Sequence, residues 1–166
     1  MSGNYLPRNP LAEWVGRVAL KLMGWRIEGQ LPALDKFVVI GAHHTSNWDF
    51  VIFIAAKFVL RLNARWFGKH TIFRWPFGAL MRSWGGIAIR RERQANTVEQ
   101  AVRAFAEHEH FMLVLSPEGT RKKVERWKMG FYRIALGAGV PIVLGALDYQ
   151  HRRLIIGPVF VPTGHE

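Results

Sequence analysis

Residues 37–49 read Phe-Val-Val-Ile-Gly-Ala-His-His-Thr-Ser-Asn-Trp-Asp, and this stretch decides the fold. Residues 37–41 form a short apolar run, the pattern of a strand buried on both faces. A loop carrying two histidines follows directly. Asn47, a favoured N-cap residue, then opens a helix expected to run to about Leu60. In an α/β sheet, sites gather in the loop between a strand's C-terminal end and the next helix, which is where His43 to Asn47 fall.

The same grammar repeats downstream. Residues 111–115 (Phe-Met-Leu-Val-Leu) read as a second buried strand, followed by the loop Ser-Pro-Glu-Gly-Thr-Arg-Lys-Lys at residues 116–123. Further strands are expected at residues 64–67, 87–89 and 140–147, and two short ones at 153–156 and 158–161. Pro76 breaks the chain before a short helical stretch ending near Trp84. Asn96, with Glu99 three residues on, reads as the start of a helix whose apolar face is Val98, Ala101, Val102 and Phe105. A helix over 129–138 stops at Gly139. Upstream, Leu11, Trp14, Val15, Val18 and Leu22 follow helical spacing, between Pro10 and Gly24. Alternating strands and helices predict a single α/β domain with a mixed, largely parallel sheet flanked by helices. Residues 1–24 are expected to form an N-terminal amphipathic helix, a candidate membrane contact, and residues 25–166 the domain proper.

Composition narrows the chemistry. The 166-residue chain has no cysteine, which excludes a disulfide scaffold, a thiolate zinc site and a cysteine nucleophile. Its 23 Lys and Arg against 12 Asp and Glu give a formal charge of +11. The excess is clustered: residues 61–93 hold eight basic residues against Glu92, and residues 121–133 hold six against Glu125. Such density calls for an anionic partner: nucleic acid, a phosphorylated small molecule or an anionic lipid surface. No stretch approaches the roughly 20 predominantly apolar residues of a spanning helix. No apolar run with a small-residue cleavage site opens the sequence, so no secretory signal is expected.

Two loops carry candidate chemistry. His44 and Asp49 are spaced so that a turn before a helix folds the imidazole back over the first helical turn. The Asp49 carboxylate is then placed to fix the tautomer of His44 and leave its other nitrogen free as a base. His43, one residue further from Asp49, is the alternative base. In the second loop, Gly119 permits close backbone approach, and Thr120, Arg121, Lys122 and Lys123 supply a hydroxyl and three cations. Arg121 has the planar fork suited to phosphate. Between the loops, Gly86-Ile-Ala-Ile-Arg-Arg brings Arg90 and Arg91 to a strand end.

These blocks come in a specific order: His-x4-Asp at His44 and Asp49, Gly-x4-Arg at Gly86 and Arg91, Pro-Glu-Gly-Thr-Arg at residues 117–121, and an apolar strand with Pro at residues 140–144. The sequence from about Trp25 to Tyr149 resembles the glycerolipid acyltransferase family, typified by 1-acyl-sn-glycerol-3-phosphate acyltransferases. The resemblance implies transfer of a fatty acyl group from acyl-CoA or acyl carrier protein to a hydroxyl of a lysophospholipid or related acceptor. It implies that His44 is the general base and Asp49 its orienting partner, and that Arg91, Glu118, Gly119 and Arg121 help hold the phosphate-bearing acceptor, with Thr120 beside them. No metal, no cofactor beyond the acyl donor and no nucleic-acid partner is expected; the amphipathic helix at residues 11–23 and the Arg- and Trp-rich stretch from Arg61 to Arg93 predict peripheral contact with an anionic membrane, expected on its cytoplasmic side. Two other functions compete. A hydrolase would use Ser46 or Ser116, but neither lies in Gly-x-Ser-x-Gly, although an acyl-thioester hydrolase could use water at the same base. A non-enzymatic module for anionic membranes or nucleic acid would use the basic, Trp-rich stretches alone, with no role for His44 and Asp49.

Overall fold

The computed structural model describes residues 4–42, 46–89, 94–118 and 126–164. Among the described residues seven strands form one sheet: β1 (Arg26–Glu28), β2 (Lys36–Ala42), β3 (Ala64–Lys69), β4 (Gly86–Ile89), β5 (Phe111–Leu115), β6 (Ile142–Asp148) and β7 (Arg153–Phe160). Their spatial order is β1-β7-β6-β2-β5-β3-β4. The five strands from β6 to β4 run parallel. β7 pairs antiparallel with β6, and β1 parallel with β7. The sheet is therefore mixed and largely parallel, in a single domain. Among the described residues five α-helices accompany it: α1 (Pro10–Met23), α2 (Trp48–Val59), α3 (Gly78–Ser83), α4 (Gln94–Glu107) and α5 (Gly130–Ala138).

Strand alternation sends opposite side chains to opposite layers. Val38, Ile40, Leu113 and Ile142 meet Ala101 and Phe105 of α4 and Ile134 and Ala135 of α5. Phe37, Met112 and Val143 face the other way, towards Phe53 and Leu60 at the α2 side. There α1 joins α2, with Leu20 and Trp25 packed on Ile52 and Ala55. Both faces of the central strands are thus covered, which is why they read as unbroken apolar runs. At the β7 end, Arg153 ties three strands together, donating to Asp148 at 2.8 Å and to Glu28 at 3.0 Å.

Three local expectations need correction. Residues 153–160 are one strand rather than two. Between Val143 and Gly145 the pairing slips, so that β7 carries an extra residue around Gly157 and Pro158. A bulge absorbs the missing proline N–H without ending the strand. Asn96 lies inside α4, which begins two residues earlier, so it does not cap that helix. Asn47 has helical φ and ψ of −65° and −25° and its side chain caps nothing. The strand β1 is too short and polar to have stood out from the sequence.

No helix among the described residues is long and apolar enough to cross a membrane. α1 has two faces. Asn9 Oδ1 accepts from Ala12 N at 3.1 Å to start it, and Gly24, at φ 71°, stops it. Gly16 and Leu20 are buried against α2, whereas Leu11, Trp14, Val15 and Leu22 are exposed. The contact with α2 is close: a Cβ on Gly16 would lie 2.6 Å from the carbonyl oxygen of Ala55. Gly16→Leu is therefore expected to lose about 1–3 kcal/mol of stability in urea titration. A helix held only loosely would instead gain roughly 1 kcal/mol from the better helix former.

Candidate functional site

Parallel pairing brings the two loops together. Ile40 of β2 lies beside Leu115 of β5, two residues before β2 ends and at the last residue of β5. On the other side of β2, β6 runs to Asp148, so Tyr149 leaves the sheet at the same edge.

Ser46, not Asn47, caps α2. Its Oγ accepts from Trp48 N at 3.1 Å, and its own backbone N–H donates to Asp49 Oδ2 at 2.8 Å. This is a capping box of Ser-x-x-Asp form, and it fixes the Asp49 carboxylate at the positive end of the helix. Asp49 is 3% exposed. Its Oδ1 accepts from the hydroxyl of Tyr149. Burial, then the hydrogen bond to Asp49, push that phenol up to about 12, so it stays protonated and donates. The Tyr149 ring stands edge-on to Trp25, with centroids 5.0 Å apart. Tyr149 was not legible as a site residue, because it is 100 residues from Asp49 and only the β2–β6 pairing joins them.

In the second loop Pro117 and Glu118 are buried, Glu118 at 5% exposure. Ser116 Oγ donates to Glu118 Oε2 at 2.8 Å, and Lys128 N donates to the carbonyl of Pro117 at 2.9 Å. The carboxylate is thus held inward, beneath the turn. Of the other expected site residues, His44, Arg91, Gly119, Thr120 and Arg121 lie outside the described residues, as does His43. β4, which leads towards Arg91, is three strands from β2, about 14 Å at a spacing of roughly 4.8 Å. Among the described residues no three His, Asp or Glu converge as metal ligands would.

Asn47 and Asp49, just after the first loop, and Ser116, at the start of the second, line one cavity of about 730 Å³ between α2 and the sheet. Asp49 and Ser116 line one end. Phe50, Phe53 and Lys57 of α2, with Leu60 just after it, form its roof, and Val39, Gly41, Met112 and Gly145 contribute its floor. Gly41 and Gly145 are neighbours across β2 and β6. A Cβ on Gly41 would meet nothing within 4 Å, so the missing side chain is open space in the trough. Ile72, Trp75 and Phe77 line the cavity and are also solvent-exposed, Trp75 at 93%.

Lys57 is the exception in this apolar roof. It is 3% exposed, and its Nζ donates to the Leu62 carbonyl at 2.9 Å. Burial, then the charge of Arg65, draw its ammonium down to about 8. From the sequence it reads as an ordinary cation in the last turn of a helix. Its spacing from Asp49 and Phe53, eight and four residues, is the signal that places it on the inward stripe.

A family model described as Acyltransferase matches residues 25–144. No curated protein sequence matches the chain. Among solved structures, the fold is similar to that of the 1-acyl-sn-glycerophosphate (LPA) acyltransferase PlsC from Thermotoga maritima. The TM-score is 0.65 at 16% identity, over 94% of this chain and 70% of that one.

The buried amine makes a pH prediction. An unfolded lysine titrates near 10.5, so between about pH 8 and that value the unfolded chain keeps a proton the native state has released. Stability then rises with pH; the cost of Lys57 is full below pH 8 and fades above it. In urea titrations at pH 7 and pH 10, Lys57→Met should lose stability relative to wild type by on the order of 2 kcal/mol as the pH rises. Parallel pH trends for the two proteins would contradict the buried amine.

Proposed function

The chain belongs to the acyltransferase family, and on that premise we propose that it moves a fatty acyl group from an acyl thioester, acyl-CoA or acyl carrier protein, to a hydroxyl of a lysophospholipid-type acceptor. The observation that carries this reading is the apolar cavity of about 730 Å³ that ends at the Asp49 carboxylate. Its lining suits a hydrocarbon chain, at about 0.8 kcal/mol for each methylene withdrawn from water. Its polar end lies at the sheet edge where the loop with His44 begins.

In the proposed mechanism His44 takes the proton of the acceptor hydroxyl as its oxygen attacks the thioester carbonyl. The carbon–sulfur bond then breaks, and the thiol leaves with that proton. Asp49 orients His44 and stabilises its protonated form. Ser46 N–H and the Tyr149 hydroxyl hold the carboxylate for that task. Ser46 Oγ accepts from Trp48 N and Ser116 Oγ donates to Glu118, so both hydroxyls hold their own turns. Direct attack by the acceptor needs no nucleophile from the enzyme. Arg91, Gly119, Thr120 and Arg121 are assigned to the acceptor phosphate. Glu118, already holding Ser116, is assigned to orienting that loop.

The substrate reaches the site from a membrane surface in this reading. Trp14 and Leu22 of α1, Trp48 and Val51 of α2, and Trp75 and Phe77 at the cavity expose large apolar side chains, in a chain of strong positive charge. Such side chains insert at a bilayer interface, and nearby cations add on the order of 1 kcal/mol each towards anionic lipid. The proposed setting is the cytoplasmic face of the membrane.

His44→Ala should lower acyl transfer by about 10²–10⁴-fold with the fold retained, and Asp49→Asn should be severe as well. A rate above about a tenth of wild type for His44→Ala would move the base elsewhere, first to His43. In vesicle flotation, binding should rise with anionic lipid and fall only partly at high salt, since the apolar contribution is not screened. Indifference to anionic vesicles would remove the membrane part of the proposal.

A further inference from the structure

The roof of the cavity holds a feature that binding plain hydrocarbon does not explain. Asp49, Phe53 and Lys57 lie four residues apart along one stripe of α2, so Lys57 sits about 12 Å along the helix from the catalytic edge, at 1.5 Å per residue. At that depth the neighbouring lining is Leu31, Leu60 and Leu62. A lysine placed only to complement the helix C-terminus would extend its amine into water. Here the side chain turns inward and is nine-tenths buried or more.

The hydrogen bonding of Lys57 is incomplete. An ammonium carries three N–H donors, and among the described residues Lys57 finds one acceptor, the Leu62 carbonyl. The charge acting on it is another cation, Arg65, and neither is paired with a carboxylate among the described residues. A buried ammonium with unmet donors is costly, and an acceptor in the cavity relieves that cost. A saturated chain reaching Lys57 does the reverse, since it displaces water and offers no acceptor in return.

Resting on the acyl-transfer reading above, we propose that Lys57 is a specificity-determining residue. Its ammonium makes the enzyme favour acyl donors whose chain carries a hydrogen-bond-accepting oxygen at its distal end over saturated chains of the same length. Hydrocarbon is accepted up to the depth of Lys57, and beyond it only with an oxygen to meet the amine. A second cavity of about 200 Å³, sharing Leu31, Leu60, Leu62 and Ile156 with the first, lies at this end. It is the room that longer saturated chains would use if the amine were absent.

The test uses the full chain and two series of acyl-CoA donors of increasing length, one saturated and one ω-hydroxylated, with a single lysophospholipid acceptor. Wild type should prefer the ω-hydroxy donor by about tenfold or more in kcat/KM at the lengths that reach Lys57, the change expected for a hydrogen bond to a charged group, and show no preference at shorter lengths. Lys57→Met, which keeps the volume and removes the donors, should erase or invert that preference and extend the saturated series to longer chains. The wild-type comparison stands alone should the variant fail to fold. Equal use of the two series by wild type at every length overturns the proposal while leaving acyl transfer in place. So does an unchanged preference in a folded Lys57→Met. Absence of transfer from every donor to the acceptor overturns the acyl-transfer reading and this proposal with it.

Discussion

The parallel pairing of β2 with β5, Ile40 against Leu115, is the constraint on which the site depends. Two parallel neighbours necessarily end at the same sheet edge, so the loops that follow them emerge side by side although 70 residues separate them in sequence. With β6 parallel on the other flank of β2, a third segment reaches that edge and delivers Tyr149 to Asp49. The pairing is secure because both faces of these strands are buried, by α4 and α5 on one side and α2 on the other. A slip of one residue would exchange the two faces, so that each set of side chains met packing shaped for the other.

The second constraint is the stand-off of α2 from the sheet. α2 is anchored through Ile52 and Ala55, which pack on α1, and through the capping box at Ser46 and Asp49. Its other stripe faces a trough where Gly41 provides no side chain to fill the gap. An unfilled apolar cavity and a buried amine both lower stability. Such concessions in an otherwise well-packed domain are the usual mark of a site kept open for a ligand.

The sequence made much of this frame legible, and for clear reasons. Residues 37–41 and 111–115 are apolar runs too short for helices, and each ends in a loop with polar, helix-starting chemistry. The α1 stripe and the Gly24 and Gly139 stops follow helical spacing and the need for a positive φ, found at 71° and 63°. Asp49 and Glu118 were readable as loop residues of one sheet edge, since parallel order is implied by the strand–helix alternation. What was hidden depends on packing. Tyr149 meets Asp49 only because β6 lies beside β2. Lys57 looks like a solvated helix-end cation until α2 is turned with that stripe inward. The cap of α2 passed from Asn47 to Ser46 because Asp49 stands three residues after Ser46 and can return the hydrogen bond. The expected division into strands 153–156 and 158–161 is instead a bulge in the pairing with β6.

In the proposed reaction an acceptor hydroxyl attacks an acyl thioester directly at the edge where β2 and β5 end. The most direct measurement follows thiol release and acylated product together, with purified protein, an acyl-CoA donor, and a lysophospholipid acceptor either present or withheld. Direct attack predicts equal amounts of thiol and acylated lipid when the acceptor is present, and near-complete loss of thiol release when it is withheld. Thiol release at the same rate without acceptor, with no acylated lipid formed, would contradict it.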